Sequence, residues 1–192
     1  MRKSIRWIAV IFFFVVVVSG TLLSGAADLW AQPAAGLRQQ IEGNWTLASI
    51  YNEWPDGRKI EQFGSHPRGS MMLAPDGRFS IFFMKAGLPK FTSNNRLTGT
   101  ARENQAVVQG CIAYFGSYMV QNEEDGVVML MVEGCTFPNW DGQHQKRRMT
   151  VSGDTLKVIN PASGIGGTSY IVWKRARQEN QNSRIRFNPI IR

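Results

Sequence analysis

Turn chemistry is what most narrows the folds open to this chain. Pro55-Asp56-Gly57-Arg58 and Pro75-Asp76-Gly77-Arg78 are two copies of one turn, and Asn122-Glu123-Glu124-Asp125-Gly126, Ser152-Gly153-Asp154 and Asn160-Pro161-Ala162-Ser163-Gly164 continue the punctuation. Proline presets φ at the second turn position, aspartate hydrogen-bonds the backbone two residues on, and glycine accepts the positive φ that the turn requires. The runs between are short, apolar and partly alternating, which predicts strands over 44–53, 58–63, 70–74, 78–84, 114–121, 127–133, 143–151, 155–159 and 168–174. Eight or nine strands on hairpin-length connections describe a mainly β chain that closes as a single antiparallel barrel. One stretch breaks the pattern. Thr100-Ala101-Arg102-Glu103 has capping-box spacing and Val107, Val108, Cys111, Ile112 and Phe115 follow at helical period, so a short helix is expected over 101–112, covering or plugging one barrel end.

Outside the barrel, Arg2, Lys3 and Arg6 precede an apolar run from Trp7 to Leu23, which is followed by small residues up to Ala31. That layout predicts a secretory signal peptide over residues 1–31. An uncleaved anchor is the alternative, because the run reaches the lower edge of membrane-spanning length, roughly 17–25 residues. Either way the barrel, residues 41–175, is expected to be exported: periplasmic, secreted, or held at the inner membrane by its N-terminal segment. The formal net charge is +8, yet four arginines lie beyond Arg175 in an Asn/Gln/Arg-rich stretch, 176–192, read as a disordered basic tail. The barrel itself is weakly basic and lacks the basic face with interleaved aromatics of a nucleic-acid reader, so nucleic acid is not an expected partner. Weak contact with a membrane surface through either terminal segment stays open, as does the oligomeric state.

Cys111 and Cys135 lie just past the open end of the hairpin made by strands 114–121 and 127–133. In an oxidising compartment they are expected to form a disulfide that pins the helix to the neighbouring strand and stabilises the fold by roughly 3–4 kcal/mol. Two cysteines and two histidines at unrelated spacings do not make a zinc set, and neither a metal nor another cofactor is expected. His66 sits in a Gly/Pro-bounded loop, His144 alternates away from the inward face of its strand, and no serine has a histidine and a carboxylate at suggestive positions; no catalytic residue is assigned.

Alternation identifies the interior. Gln145, Arg147, Met149 and Val151 share one face of their strand, and the last two mark it as the buried one. A buried arginine needs partners: either a structural carboxylate such as Glu133, or the carboxylate, phenolate or carbonyl of a ligand. Tyr114 and Tyr118, with Met129 and Met131 on the neighbouring strand, are further lining candidates, although both faces of that hairpin are apolar and do not say which is inward. Trp140, in a loop at the strand mouth, either gates entry or covers the rim.

Gly43-x-Trp45, Gly69 with the Pro75-Asp76-Gly77 hairpin, Pro89-x-Phe91, Tyr114-x-Gly116-x-Tyr118, Pro138-Asn139-Trp140-x-Gly142, Gln145-x-Arg147, Gly153-Asp154-x-Leu156 and Trp173-x-Arg175 together resemble the lipocalin-like domain of bacterial and fungal proteins. The resemblance spans Ile41 to Arg175 and implies a calycin-type barrel in which Trp45 plugs one end beneath Arg175. Gly43, Trp45, Trp173 and Arg175 are then structural rather than ligand-binding. Most members have no established activity, and some occur beside secondary-metabolite pathways. The leading expectation is a module binding an apolar or amphipathic small molecule in the barrel. Alternatives are an envelope interaction or structural role for the basic tail, and an isomerase or cyclase activity that rests on the resemblance alone.

Overall fold

The computed structural model describes residues 35–177. The expected signal segment, and all of the expected tail but Ala176 and Arg177, lie outside the described residues. Nine strands form one antiparallel sheet: β1 (Gly43–Glu53), β2 (Lys59–Ile60), β3 (Arg68–Leu73), β4 (Arg78–Met84), β5 (Cys111–Asn122), β6 (Val127–Cys135), β7 (His144–Ser152), β8 (Thr155–Asn160) and β9 (Thr168–Arg175). From β3 onward chain neighbours are sheet neighbours, and β9 returns to pair with β1 from Trp45↔Arg175 to Glu53↔Thr168. Eight strands therefore close a barrel, which removes its long edges. The remaining strand, β2, adds two residues to the end of β1.

The two Pro-Asp-Gly turns have the same local structure. Asp56 and Asp76 each accept the backbone N–H of the arginine two residues on at 3.0 Å, and Gly57 and Gly77 take φ of 81° and 85°. Only the second closes a barrel hairpin. The expected strand 58–63 contracts to Lys59–Ile60, both exposed, because no second wall buries it.

A one-turn helix that the sequence reading does not foresee, α1 (Leu37–Ile41), closes one end. It buries Leu37 and Ile41 against the core, and the Trp45 indole donates to the Ile41 carbonyl at 2.8 Å. Arg175 lies over the Trp45 ring, 4.2 Å from its centroid, and donates to the carbonyls of Gln40 at 2.8 Å and Glu42 at 3.0 Å. Such carbonyls have no partner within a helix, so a cation there satisfies them and complements the helix dipole. Trp45, Leu73, Leu156 and Trp173 are fully buried and fill this half of the barrel.

Two bulges decide what each strand shows to the interior. The β1–β9 register slips between Leu47 and Ser49, so Trp45 and Leu47 point inward but the next inward residues are Ile50 and Asn52. Strict alternation along β1 would put Ser49 and Tyr51 on the Trp45 face; Tyr51 instead stacks on Tyr170 on the outer wall, centroids 5.2 Å apart. The β5–β6 register slips at Phe115/Gly116 and leaves Glu133 as the extra residue. Gly116 has no room for a side chain, since a Cβ would collide with the Met131 carbonyl oxygen. Val128, Leu130 and Val132 are the buried residues of β6, and Met129 and Met131, assigned above to the lining, belong to its outer face opposite Met119 and Ser117.

The expected disulfide is absent: both cysteines are free. Cys135 pairs with Tyr114, which leaves Cys111 three residues farther along β5. At roughly 3.3 Å per residue that offset is about 10 Å, past the ~7 Å Cα separation a disulfide can bridge. The helix α2 (Ala101–Gly110) also ends before the expected Ile112, because Cys111 and Ile112 already pair with Met84 and Phe83.

Two predictions follow from this architecture. Arg175→Ala loses a cation–π contact on the order of 0.5–2 kcal/mol and two charge-donated hydrogen bonds, and is expected to destabilise the barrel by about 2–4 kcal/mol in urea unfolding. Thiol titration of the unfolded chain, made without reductant, is expected to find two thiols, and adding reductant to leave the unfolding midpoint unchanged.

Candidate functional site

At the end opposite α1 the barrel is open in its interior. A cavity of about 190 Å³ extends inward from the mouth, bounded by Phe63, Phe83, Ile112, Tyr114, Trp140 and Arg147 among others. Its rim comes from four connections: the β2–β3 loop, with Gln62 and Phe63; the β4–β5 segment, residues 85–110, which contains α2; the β6–β7 loop, with a 3-10 turn at Pro138–Trp140; and the β8–β9 loop. Phe79, Ile81 and Phe83 alternate inward while Phe82 faces out, so only part of the phenylalanine-rich β4 occupies the interior. Aromatic contacts run in two sets: Phe63 on Phe83 at 5.6 Å, and a chain in which Phe79 is edge-on to Tyr114 at 5.8 Å, Tyr114 edge-on to Trp140 at 5.4 Å, and Trp140 edge-on to Phe137 at 5.8 Å.

Across this apolar interior runs a polar belt. Asn52 on β1 lies opposite Ser169 on β9, which lies opposite Asn160 on β8, and all three are buried. Arg147 on β7 completes the belt. It is 4% exposed, and its guanidinium donates to Asn160 Oδ1 at 3.0 Å, to the Lys146 carbonyl at 2.9 Å and to Gln145 Oε1. Every one of these acceptors is neutral. Glu133, the carboxylate considered as its partner, sits on the outer wall in a two-pronged ion pair with Arg78. Among the described residues no carboxylate pairs with Arg147. Burial pushes the Tyr114 hydroxyl pKa up, and the neighbouring Arg147 pulls against that shift.

Of the residues picked from the sequence, Arg147, Gln145, Tyr114 and Trp140 come together at this mouth. Tyr118 is buried but belongs to the closed half, where its hydroxyl donates to the Ala74 carbonyl at 2.9 Å. Cys111 lines the cavity as a free thiol whose pKa burial raises, which keeps it protonated. Asn52, Asn160, Ser169 and Phe63 were not anticipated. For Asn160 and Ser169 the signal was available, a polar residue on the inward side of an otherwise apolar strand; for Asn52 the β1 bulge hid it.

Residues 85–110 form a flap at the mouth, where Val108 lines the cavity. Glu103 organises it: its carboxylate accepts from the backbone N–H and hydroxyl of Thr92, at 2.9 and 3.0 Å, and from those of Thr100, at 2.7 and 3.0 Å. Thr100 in turn caps α2 through the Glu103 N–H, which completes the capping box. The bonds from the two threonine N–H groups, ahead of all other influences, hold the Glu103 pKa at about 2.

The family comparison agrees with this architecture. Residues 42–176 match the lipocalin-like domain family. A curated relative, the 4'-hydroxy-3'-methoxypropiophenone carrier protein ppsC of Aspergillus oryzae, is 30% identical over 101 residues, which cover 48% of this chain and 91% of that protein. Among solved structures, a mutant of the fluorescent protein UnaG aligns with 12% identity and a TM-score of 0.33, covering 72% of this chain and 97% of that one.

The Glu103 carboxylate gives the flap a pH signature. Its folded pKa, about 2, lies below the ordinary 4.5, so the stability it contributes is complete above about 4.5 and is lost as pH falls through 2. Amide resonances of Thr92 and Thr100 are expected to titrate with a midpoint near pH 2 in two-dimensional NMR spectra, and Glu103→Gln to abolish that titration. A midpoint near 4.5 would contradict the assignment.

Proposed function

Since the chain belongs to the lipocalin-like domain family, we propose that its barrel carries an apolar or amphipathic small molecule bearing a carboxylate, phenolate or carbonyl oxygen. The observation that carries this reading is Arg147, a buried guanidinium in the cavity wall with neutral acceptors only. Burying a cation without a counter-charge costs several kcal/mol, and replacing it by an apolar side chain of similar volume is often neutral or stabilising. A fold that needed only a filled interior is better served by leucine or methionine there. A ligand oxygen supplies the missing charge or dipole in a low-dielectric site, where the attraction is strongest.

The rest of the mouth fits the same chemistry. Phe63, Phe83, Tyr114 and Trp140 offer flat apolar surface to a ring or short chain, and Asn52, Asn160 and Ser169 offer further hydrogen bonds on the facing wall. Further support comes from ppsC, described as the carrier of an aryl ketone that also bears a hydroxyl. The N-terminal layout of Arg2, Lys3 and Arg6 before the apolar run supports a carrier that works after export.

Two probes of similar shape separate charge recognition from apolar burial: naphthalene sulfonate and the uncharged naphthalene methanol. By isothermal calorimetry Arg147→Met is expected to weaken the sulfonate by about 10- to 100-fold, the worth of one charged hydrogen bond, and the methanol by less than about threefold. The urea midpoint should stay unchanged or rise. Equal losses for both probes, or a destabilised variant with unchanged affinity, would assign Arg147 to structure instead.

A further inference from the structure

We propose that the flap formed by residues 85–110 is a docking face for an anionic lipid surface, set at the cavity mouth, which it reaches through Val108. Lys85, Lys90, Arg96 and Arg102 are all exposed on it, and none has a carboxylate partner among the described residues. The flap has one carboxylate of its own, Glu103, which is turned inward and occupied by Thr92 and Thr100. The neighbouring connection between β1 and β3 is balanced, with Asp56 and Glu61 against Arg58 and Lys59. Positive charge is thus concentrated on one side of the mouth.

The same flap carries the two most exposed large apolar side chains of the described residues, Leu97 at 82% and Val108 at 75%. Phe137 and Ile165, each 42% exposed, project from two other loops of the mouth. Apolar tips set among unpaired cations suit an interface in which the tips enter the acyl boundary while the cations stay among anionic headgroups. An acidic protein would pair the cations but would leave the apolar tips needing a matching pocket. The flap is also lightly held: α2 buries only Glu103 and Gly110, so it rests on its cap and on Leu88, which fills the space a Gly110 side chain would take. On a membrane, a cavity opened beneath such a flap exchanges an apolar ligand with the bilayer without passing it through water.

The test uses the full chain, phosphatidylcholine vesicles with and without phosphatidylglycerol, and two triple variants. Each cation near an anionic surface is worth about fivefold in affinity, so Lys90→Gln with Arg96→Gln and Arg102→Gln is expected to weaken binding to the phosphatidylglycerol vesicles about 100-fold. The wall variant, Lys146→Gln with Arg148→Gln and Lys157→Gln, removes three exposed cations from the outer faces of β7 and β8 and should weaken it less than about fivefold. Contributions from the terminal segments are common to both. In nanodiscs with a spin-labelled lipid, NMR broadening is expected at Leu97 and Val108. Equal losses in the two variants, an unaffected flap variant, or broadening confined to other parts of the chain would overturn the proposal. So would a poly-glutamate peptide that binds as well as the anionic vesicles.

Discussion

The pairing of β9 with β1 is the contact on which the rest depends, since it turns a meander of hairpins into a closed wall with an inside. Closure is secured where the strands begin and end. Arg175, the last residue of β9, covers Trp45 near the start of β1 and holds the carbonyls at the end of α1. Nearby, α1 also gathers two hairpin turns: Arg38 donates to the Pro75 carbonyl at 2.9 Å, and the Leu37 N–H reaches Glu123 at 3.4 Å. One cation thus joins the first and last strands and seats the helix that plugs the barrel.

Sealing one end tightly permits the other end to be imperfect. The closed half is filled by tryptophan and leucine, while the buried polar side chains Asn52, Arg147, Asn160 and Ser169 all lie toward the mouth. A protein optimised only for stability would not gather four buried polar side chains beside an empty volume. The clasp tolerates them, and on the proposed reading the guanidinium of Arg147 gives the empty volume a chemical preference. Function, as proposed, and stability then occupy opposite ends of one container.

The closed barrel was legible in the sequence because its turns are written in proline, aspartate and glycine, whose backbone preferences act locally. Alternation was equally readable where one face is polar, as on β7, and it put Gln145 and Arg147 on the inward side. It was unreadable on β6, where both faces are apolar, so Met129 and Met131 were placed on the wrong side. Bulges were the second blind spot. A single extra residue near Ala48 reverses the phase of β1 and hides Asn52, and the extra Glu133 removes the carboxylate considered for Arg147. The disulfide failed for a related reason, since nearness in sequence to a hairpin end does not fix the three-residue offset between Cys111 and Cys135.

The central claim is that Arg147 touches the ligand's oxygen. Its side-chain Nε–H resonance, assigned by its disappearance in Arg147→Gln, reports that contact directly when naphthalene sulfonate is titrated into the isotope-labelled chain. The resonance is predicted to shift and to saturate together with binding, while that of Arg175 at the closed end stays fixed. A sulfonate that binds while the Arg147 resonance does not move would contradict the account.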